Sequence, residues 1–366
     1  IGSLPFGNAA ADGVTTGVDS RSRGEYTEMG NIQGNAANGN YRANQRTRVS
    51  IDGKAGDVSA SVSAQEGHSW DGGSTGDLNL YEAWVQWGTD LTFRAGRQEF
   101  AMDEGRLMGH DDWNHGRTYD GLLIGYGSGD YNLNIFATRG EGSDLFVLNP
   151  STSMSGIDIS VPIMYVTNAI GGGDTDVSSL TAGLYAKSEG DLSWRGEGYF
   201  QQNSIAIGDA EATTTSGMMV SVALGYKVSD TMSPTLNIDY TGAAADENAH
   251  FFDTEMGNTH QYNGAADMVT AGAGGLIDVG ISTGFGKMGP GSLSAGFHYF
   301  MLADADAVDA DGAGVGMELD LDYSIKISDV LNLTISEYLF IDGDEGAADR
   351  NVSMHDLTMV QLSLAL

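Results

Sequence analysis

The sequence lacks cysteine and is poor in basic residues. None of its 366 residues is Cys, so disulfide bonds, thiolate metal sites and thiol nucleophiles are excluded. Only 17 Lys and Arg stand against 50 Asp and Glu, which gives a formal net charge of −33. Nucleic acid is bound through basic surfaces, so we do not expect it as a partner.

Proline and long apolar segments are also scarce. There are five Pro against 53 Gly, and no run of 18 apolar residues predicts a membrane-spanning helix. The first residues, IGSLPFGNAAADG, lack the charged and apolar regions of a secretory signal. No G-x-S-x-G, P-loop or dinucleotide motif is present, so we do not expect an enzyme. The composition instead favours many strands joined by Gly-rich turns.

What the sequence does contain is an alternation of apolar and polar residues. In GMELDLDYSIKIS, every odd position from Met317 to Ile327 is apolar, and the even positions between them are polar. A period of two identifies a β-strand with one polar and one apolar face. The pattern recurs in VSASVSAQ, LSWRGEGYFQ and MMVSVALGY. These segments run about 10 to 13 residues, close to the length of a tilted strand that crosses a bilayer.

The connections between these segments alternate between short turns and long loops. The short turns lie at 53–56, 88–90, 127–129, 188–190, 229–230, 287–291 and 328–329. The long Gly-, Asp- and Asn-rich loops lie at 29–40, 68–76, 101–116, 141–177, 203–214, 242–273, 303–312 and 342–353. Counting across the short turns predicts sixteen strands. A further hairpin around IDISVPIMYVTN, within 141–177, would make eighteen, the main alternative.

The predicted fold is an all-β, transmembrane, antiparallel up-and-down β-barrel in the bacterial outer membrane. It is expected as a single domain over residues 1–366, with an N-terminal segment at 1–17, short periplasmic turns and long acidic extracellular loops. A soluble sandwich also alternates, but its strands are shorter and each apolar face needs a second sheet. Aromatic residues near segment ends, such as Trp87, Tyr131 and Tyr226, suit the interfacial girdles of a barrel.

If the apolar positions face lipid, the polar positions line the interior. Ten of the twelve Arg precede position 141, so we expect one sector of the lumen to be electropositive. Guanidinium groups are bidentate donors to carboxylate, sulfate and phosphate, and opposed charges across a pore filter solutes. The predicted pore-lining and selectivity residues are Arg21, Arg23, Arg42, Arg46, Arg48, Glu82, Arg94, Arg97, Arg106, Arg117, Asp120 and Arg195. Each Arg could instead serve in salt bridges that keep the interior rigid.

Several short motifs follow one another in a characteristic order. They consist of Gly96, Arg97 and Gln98, then Arg106, Leu107 and Trp113, then Tyr119, Asp120 and Gly121, and downstream His260, Tyr262, Gly264 and Asp267. In these residues the chain resembles the alginate-export family of outer-membrane β-barrels. The resemblance implies an outer-membrane channel, which in the best-known members passes an acidic polysaccharide through an Arg-lined pore.

Two clusters carry potential metal ligands. His110, Asp111, Asp112 and His115 match no established zinc spacing and lie in a predicted loop. Asp304, Asp306, Asp309 and Asp311 resemble part of a calcium loop but lack the Glu that ends an EF-hand. We therefore expect no cofactor beyond weakly bound Ca²⁺ or Mg²⁺ on acidic loops.

The expected function is a channel for hydrophilic solutes, anionic or saccharide, surrounded by outer-membrane lipid and lipopolysaccharide. A second hypothesis is a plugged structural or adhesive barrel that displays acidic loops to a partner, a surface polymer or a surface array. A homo-oligomer or a surface assembly is the further partner that we consider. The second hypothesis predicts that loop 141–177 or 242–273 folds inward. A third, a barrel-embedded enzyme, has no supporting motif.

Overall fold

The computed structural model describes residues 13–30, 38–70, 76–110, 115–139, 143–169, 175–207, 212–244, 249–250, 252, 256–308, 310, 312–343 and 354–366. These residues contain nineteen β segments in one sheet. The segments are β1 Gly13–Gly30, β2 Asn38–Ala55, β3 Val58–Ser69, β4 Asn79–Gly88, β5 Leu91–Gln98, β6 Tyr119–Ser128, β7 Tyr131–Arg139, β8 Ser143–Met154, β9 Ile157–Ser160, β10 Ile163–Ala169, β11 Thr175–Ser188, β12 Leu192–Ile207, β13 Thr213–Tyr226, β14 Thr235–Thr241, β15 Leu276–Met288, β16 Gly291–Met301, β17 Gly314–Lys326, β18 Leu331–Asp342 and β19 Met354–Ala365.

The segments β9 and β10 belong to one barrel strand. Both pair with β8 on one side and with β11 on the other, and the register with each neighbour is unchanged between them. They are separated at Val161 and Pro162, because Pro has no N–H to donate to the ladder. Within the described residues the barrel therefore has eighteen strands. The prediction of sixteen is wrong, and the alternative of eighteen is confirmed.

The additional hairpin lies inside the segment that was predicted as loop 141–177. Its two strands, β8 and β9, are joined by Ser155 and Gly156, whose φ angles are 54° and 78°. Two-residue hairpins favour turns with positive φ at both positions, because that twist matches the twist of the strands. The loop predicted at 141–177 is therefore mostly strand.

The sheet closes on itself through its first and last strands. β1 pairs antiparallel with β19 on one side and with β2 on the other, and Arg23 Nε donates to Gln361 Oε1 at 3.1 Å across the closure. β1 begins at Gly13, within the segment that was predicted to precede the barrel. Successive strands are joined alternately at the two ends of the barrel. We call the end with the short turns the short-turn rim and the end with the longer connections the long-loop rim.

The alternation along each strand separates an apolar outer face from a polar inner face. On β13, the side chains of Met218, Val220, Val222 and Leu224 are exposed on the outside, whereas Ser221 between them is buried in the lumen. Outward apolar residues recur on β3, β4, β11, β12, β14 and β17. An exposed apolar belt around a closed sheet is stable only in contact with lipid. No helix in the described part of the chain is long and apolar enough to span a membrane.

The buried core lies inside the barrel, where two loop segments fold against the inner wall. The first inward segment comprises residues 99–110 and 115–118, between β5 and β6. Its Phe100, Met102, Leu107 and Met108 pack against inward residues of β7, β8, β10, β12 and β13. The second inward segment comprises residues 256–275, between β14 and β15, and its Ala266 and Val269 pack on β15, β16 and β18.

Candidate functional site

A group of arginines lines the lumen on β1, β2 and β5, and we call it the basic sector. Its members are Arg21, Arg23, Arg42, Arg46, Arg48 and Arg94, all on the inward face opposite the apolar residues of the same strands. Arg21 and Arg46 are register partners on neighbouring strands. This lumenal position is the one that the alternation of the sequence predicts for these residues.

Polar neighbours hold the guanidinium groups of the basic sector in place. Arg46 contacts Asp19 Oδ1 at 2.8 Å, and Arg23 contacts Glu25 Oε1 at 3.2 Å. Arg48 lies over the ring of Tyr81, with its Cζ 3.8 Å from the centroid, and Arg94 lies 4.1 Å from the Trp84 ring while donating to Gln86. Such planar stacking keeps the guanidinium charge while fixing its direction.

Two other predicted pore residues do not reach the lumen. Arg97 and Asp120 are register partners that form a bidentate pair at 2.9 and 2.6 Å. Both lie on the outward face. On β5, Arg97 is two residues from the outward Ala95, and on β6, Asp120 is two residues from the outward Leu122, and residues two apart on a strand lie on the same face. The prediction that they line the pore is therefore wrong in its placement. Glu82 does face inward, where its carboxylate accepts from Trp84 Nε1 at 3.2 Å.

The opposite charge is concentrated in an acidic sector that the sequence analysis did not single out. Its inward carboxylates are Glu197 on β12, Asp239 on β14, Asp278 on β15, and Glu318, Asp320 and Asp322 on β17. β6–β11 separate the two sectors on one side, and β18 and β19 on the other. The alternation in GEGYF and ELDLDYS places these residues inward, so the same rule that located the arginines could have located them.

Arg106 joins the first inward segment to the acidic sector. Its Nε donates to Glu197 at 2.9 Å, and its Nη2 donates to Asp239 at 3.0 Å and to Ser221 at 3.2 Å. Its Cζ also lies 3.7 Å from the centroid of the Tyr262 ring in the second inward segment. Burial alone would lower the pKa of Arg106, but Asp239 and Glu197 raise it. The predicted pore residue Arg106 is thus lumenal but largely withdrawn from solvent.

Arg195 holds the same segment through Glu104. Its Nη1 donates to Glu104 Oε2 at 2.6 Å, and Tyr185 donates to the other oxygen at 2.8 Å. Although burial opposes it, these two hydrogen bonds lower the pKa of Glu104. Tyr262 Oη donates to the backbone carbonyl of Glu104 at 2.9 Å, which connects the two inward segments directly.

The second inward segment is fixed to β17. The backbone N–H of Ala266 donates to Glu318 Oε1 at 2.8 Å, and Glu318 is almost completely buried. Next to it, His298 Nδ1 contacts Asp278 at 2.9 Å and stacks on Phe300. The acidic sector therefore anchors both inward segments by charge and hydrogen bonding.

The end of the first inward segment reaches the basic sector instead. Arg48 Nη2 donates to the carbonyl of His115 at 3.0 Å. Burial, and then the charges of Arg21, Arg46 and Arg48, lower the pKa of His115. Arg117 follows in the same segment, where its N–H donates to the carbonyl of His110. The first inward segment and the basic sector together form the candidate constriction of the lumen.

The predicted metal ligands form no coordination cluster where they are described. Asp111, Asp112, Asp309 and Asp311 lie outside the described residues, in which no group of three His, Asp or Glu is placed to hold a metal. Asp304 Oδ1 accepts from the backbone N–H of Asp306 at 3.0 Å, so it caps the short 3₁₀ helix Asp306–Val308.

The sequence matches a known family over its first third. The model of the alginate-export family, described as "Alginate export", matches residues 13–140. This range contains all of the basic sector and the first inward segment. The resemblance inferred from the motifs is confirmed. No match was found among the curated proteins.

The fold matches solved outer-membrane structures along almost the whole chain. A BenF-like porin from Pseudomonas fluorescens Pf-5 superimposes with a TM-score of 0.70 at 10% identity, over 97% of this chain and 99% of that one. Pseudomonas aeruginosa OccK2 (OpdF) gives 0.68 at 11% identity, over 96% and 97%. Pseudomonas aeruginosa OpdK, solved with vanillate, gives 0.67 at 10% identity, over 96% and 98%. The chain thus has the fold of a porin.

The cellular location of the protein follows from the exposed apolar belt and the closed sheet of the barrel. Its apolar outer belt requires lipid, and a closed antiparallel barrel of this size is the architecture of bacterial outer-membrane proteins. The protein is therefore an outer-membrane β-barrel of the porin type, and the proteins that it resembles are channels rather than enzymes.

Proposed function

We propose that the protein is a diffusion channel for small hydrophilic anions, carboxylates foremost. The observation that carries the proposal is the basic sector, in which six arginines project from three strands into the lumen. A carboxylate that enters the barrel can pass from one guanidinium to the next, because each offers paired donors at a fixed direction. The aromatic rings of Tyr81 and Trp84 stack against two of these groups, those of Arg48 and Arg94.

The acidic sector has a complementary role in the proposal. Its Glu197 and Asp239 hold Arg106, and its Glu318 holds the backbone N–H of Ala266, so it fixes the inward segments that narrow the passage. Charges of opposite sign on different sides of a narrow lumen orient a polar solute and limit its size. The vanillate bound to the similar OpdK barrel is a small carboxylate, which supports the same class of solute here.

The proposal also covers the orientation of the barrel in the membrane and the molecules that surround it. Long loops of outer-membrane barrels face the outside and short turns face the periplasm, so the long-loop rim is placed outside. In this orientation, lipopolysaccharide surrounds the long-loop rim. The proposal also includes self-association of barrels and binding of Ca²⁺ or Mg²⁺ to the acidic loops.

Ion selectivity in planar bilayers tests the channel directly. In a salt gradient, purified protein should give stepwise conductance with a reversal potential that indicates anion preference. Replacing Arg42, Arg46 and Arg48 together by Gln should reduce the anion-to-cation permeability ratio severalfold, because three fixed positive charges leave the pore. Arg97→Gln, on the outward face, is the matched control and should leave the ratio unchanged. Unchanged selectivity in a folded triple variant would refute the role of the basic sector.

A plugged structural barrel is the second candidate, and the inward segments favour it. Residues 256–275 lie inside the barrel, as that hypothesis predicts for 242–273, whereas 141–177 supplies strands instead. The two candidates differ in one measurement. A folded, bilayer-inserted protein that never conducts supports the plug and excludes diffusion of solutes.

A further inference from the structure

A row of alternating charges crosses the outward face of the barrel near the long-loop rim. Arg97 on β5 is the register partner of Asp120 on β6, Arg139 on β7 is the partner of Asp144 on β8, and Asp144 is the partner of Thr167 on β10. The register of β6 with β7 places Asp120 beside Arg139. We call the four charged residues, Arg97, Asp120, Arg139 and Asp144, the outer charged row.

The outer charged row is the one place where described arginines leave the interior. Among the described residues, every other Arg either faces the lumen or lies in the first inward segment. The Arg139 side chain is 89% exposed and contacts Asp144 Oδ1 at 3.4 Å, a loose pair, whereas Arg97 forms the tight bidentate pair with Asp120. Two guanidinium groups are thus presented to the surroundings of the barrel at its outer margin.

An apolar row follows directly on the short-turn side of the charged one. Leu122, Ala137, Phe146 and Tyr165 are successive register partners, all facing outward. Between the rows the surface forms a groove of about 450 Å³ that is lined by Asp120, Ala137, Arg139, Asp144, Phe146 and Tyr165. A surface with a charged row toward the rim and an apolar row toward the membrane core fits an amphiphile. Its anionic head would lie beside the charged row, and its chains would lie along the apolar row.

We infer that the outer charged row binds the phosphorylated head of a lipopolysaccharide molecule in the outer leaflet. The inference rests on the proposed orientation, since it places the long-loop rim in that leaflet. Arg97 and Arg139 donate to the phosphates, and the exposed carboxylates of Asp120 and Asp144 reach them through bridging divalent cations. An acyl chain lies along Phe146 and Tyr165. The site is independent of whether the lumen conducts.

Binding of lipid A to the purified barrel tests the inference. Native mass spectrometry with added bisphosphorylated lipid A should detect a one-to-one complex for the wild-type protein. The double variant Arg97→Gln and Arg139→Gln should bind at least about tenfold more weakly, since it loses two charge-assisted phosphate contacts. Arg42→Gln removes an arginine near the same rim but inside the lumen, and it should bind normally.

Three outcomes would overturn the site: no complex with the wild-type barrel, an equal affinity of wild type and double variant, or an equal loss in Arg42→Gln. A fourth arm uses the wild-type protein alone, so it does not depend on the folding of any variant. Lipid A stripped of its phosphates, and vesicles of phosphatidylglycerol, should both bind more weakly than bisphosphorylated lipid A. Equal binding of either lipid rejects recognition of lipopolysaccharide phosphates. Ion selectivity of the double variant should stay unchanged, so failure here and failure of the channel proposal are separate results.

Discussion

The basic and acidic sectors of the lumen are both rows of charged side chains on strands, yet their charges are used differently. Five of the six acidic-sector carboxylates contact a cationic side chain, a histidine or a backbone N–H that belongs to an inward segment or to the wall beside it, as Glu197 and Asp239 do with Arg106. In the basic sector, Arg48 and Arg94 stack on aromatic rings and donate to the neutral side chains of Gln65 and Gln86, and Arg48 also contacts the first inward segment at Glu99 and at the carbonyl of His115.

The difference shows that the sign of a lumenal charge does not by itself determine its role. Arg106 and Arg195 are arginines, but their contacts place them with the acidic sector as anchors of the constriction. A buried ion pair of that kind contributes to a unique geometry more than to solute binding, because its charges are already satisfied. Arg23 and Arg46 also pair with carboxylates, but Glu25 and Asp19 belong to β1 of the lumen wall and not to an inward segment. The arginines of β1, β2 and β5 are therefore the better candidates for selectivity.

The largest expected effect comes from removing an anchor. Replacing Arg106 by Gln removes the cation that contacts both Glu197 and Asp239, and loss of one partner of a buried pair typically costs about 3–5 kcal/mol. We expect a lower midpoint of thermal unfolding and noisier single-channel current. Arg94→Gln, on the basic sector, is the matched control. Equal destabilisation by both variants would contradict the division into anchoring and selecting arginines.

A second experiment compares two phenylalanines on one strand. Phe300 of β16 is fully buried beneath the second inward segment, whereas Phe297 faces outward and is 40% exposed. Phe300→Ala opens a cavity and should cost about 3–5 kcal/mol, with a smaller loss for Phe297→Ala. Urea unfolding in detergent measures both. A larger loss at Phe297 would show that the inner packing contributes little.

The smallest expected effect is a pH dependence where the first inward segment meets the basic sector. The folded-state pKa of His115 lies below its ordinary value of 6.5, first because of burial and then because of three nearby arginines. Its neutral form is therefore favoured by folding, so the contact is complete above pH 6.5 and weakens as the pH falls below it. Current fluctuations should increase from pH 7.5 to pH 5.

Variants of two histidines separate this contact from other titrations. His115→Gln should abolish the additional fluctuations at low pH, whereas His68→Gln, at a strand end on β3, should retain them. The same increase in all three proteins would exclude His115 as its origin.

The fold could be predicted from the sequence wherever the alternation is unbroken. The outward faces of β3, β12, β13 and β17 are those that the pattern indicates, since each strand has lipid on one side only. The hairpin β8–β9 is harder to predict, because it contains Pro150 and is followed by Pro162, and Pro argues against a central strand. The dipeptide Ser155-Gly156 was the turn signal that could have located it.

The candidate site was predictable only in part. The alternation places Arg94 inward and Arg97 outward, so the same rule that located the basic sector excludes Arg97 from the pore. The contacts of Arg106 with Glu197 and Asp239 span 91 and 133 residues, and Arg106 lies in a segment with no period. Pairings of that kind depend on how loops pack inside a closed sheet, which a local pattern does not contain.

The closure of the barrel has a consequence for how the protein is made. The hydrogen bond between Arg23 and Gln361 joins residues 338 positions apart, and the strands that contain them pair along twelve register positions. Until the last strand arrives, β1 carries a row of unsatisfied backbone groups, which other chains can pair with. Contacts so distant in sequence form slowly, because a very long chain segment must first be brought together. The edge of β1 is therefore the part of a nascent chain that most needs protection.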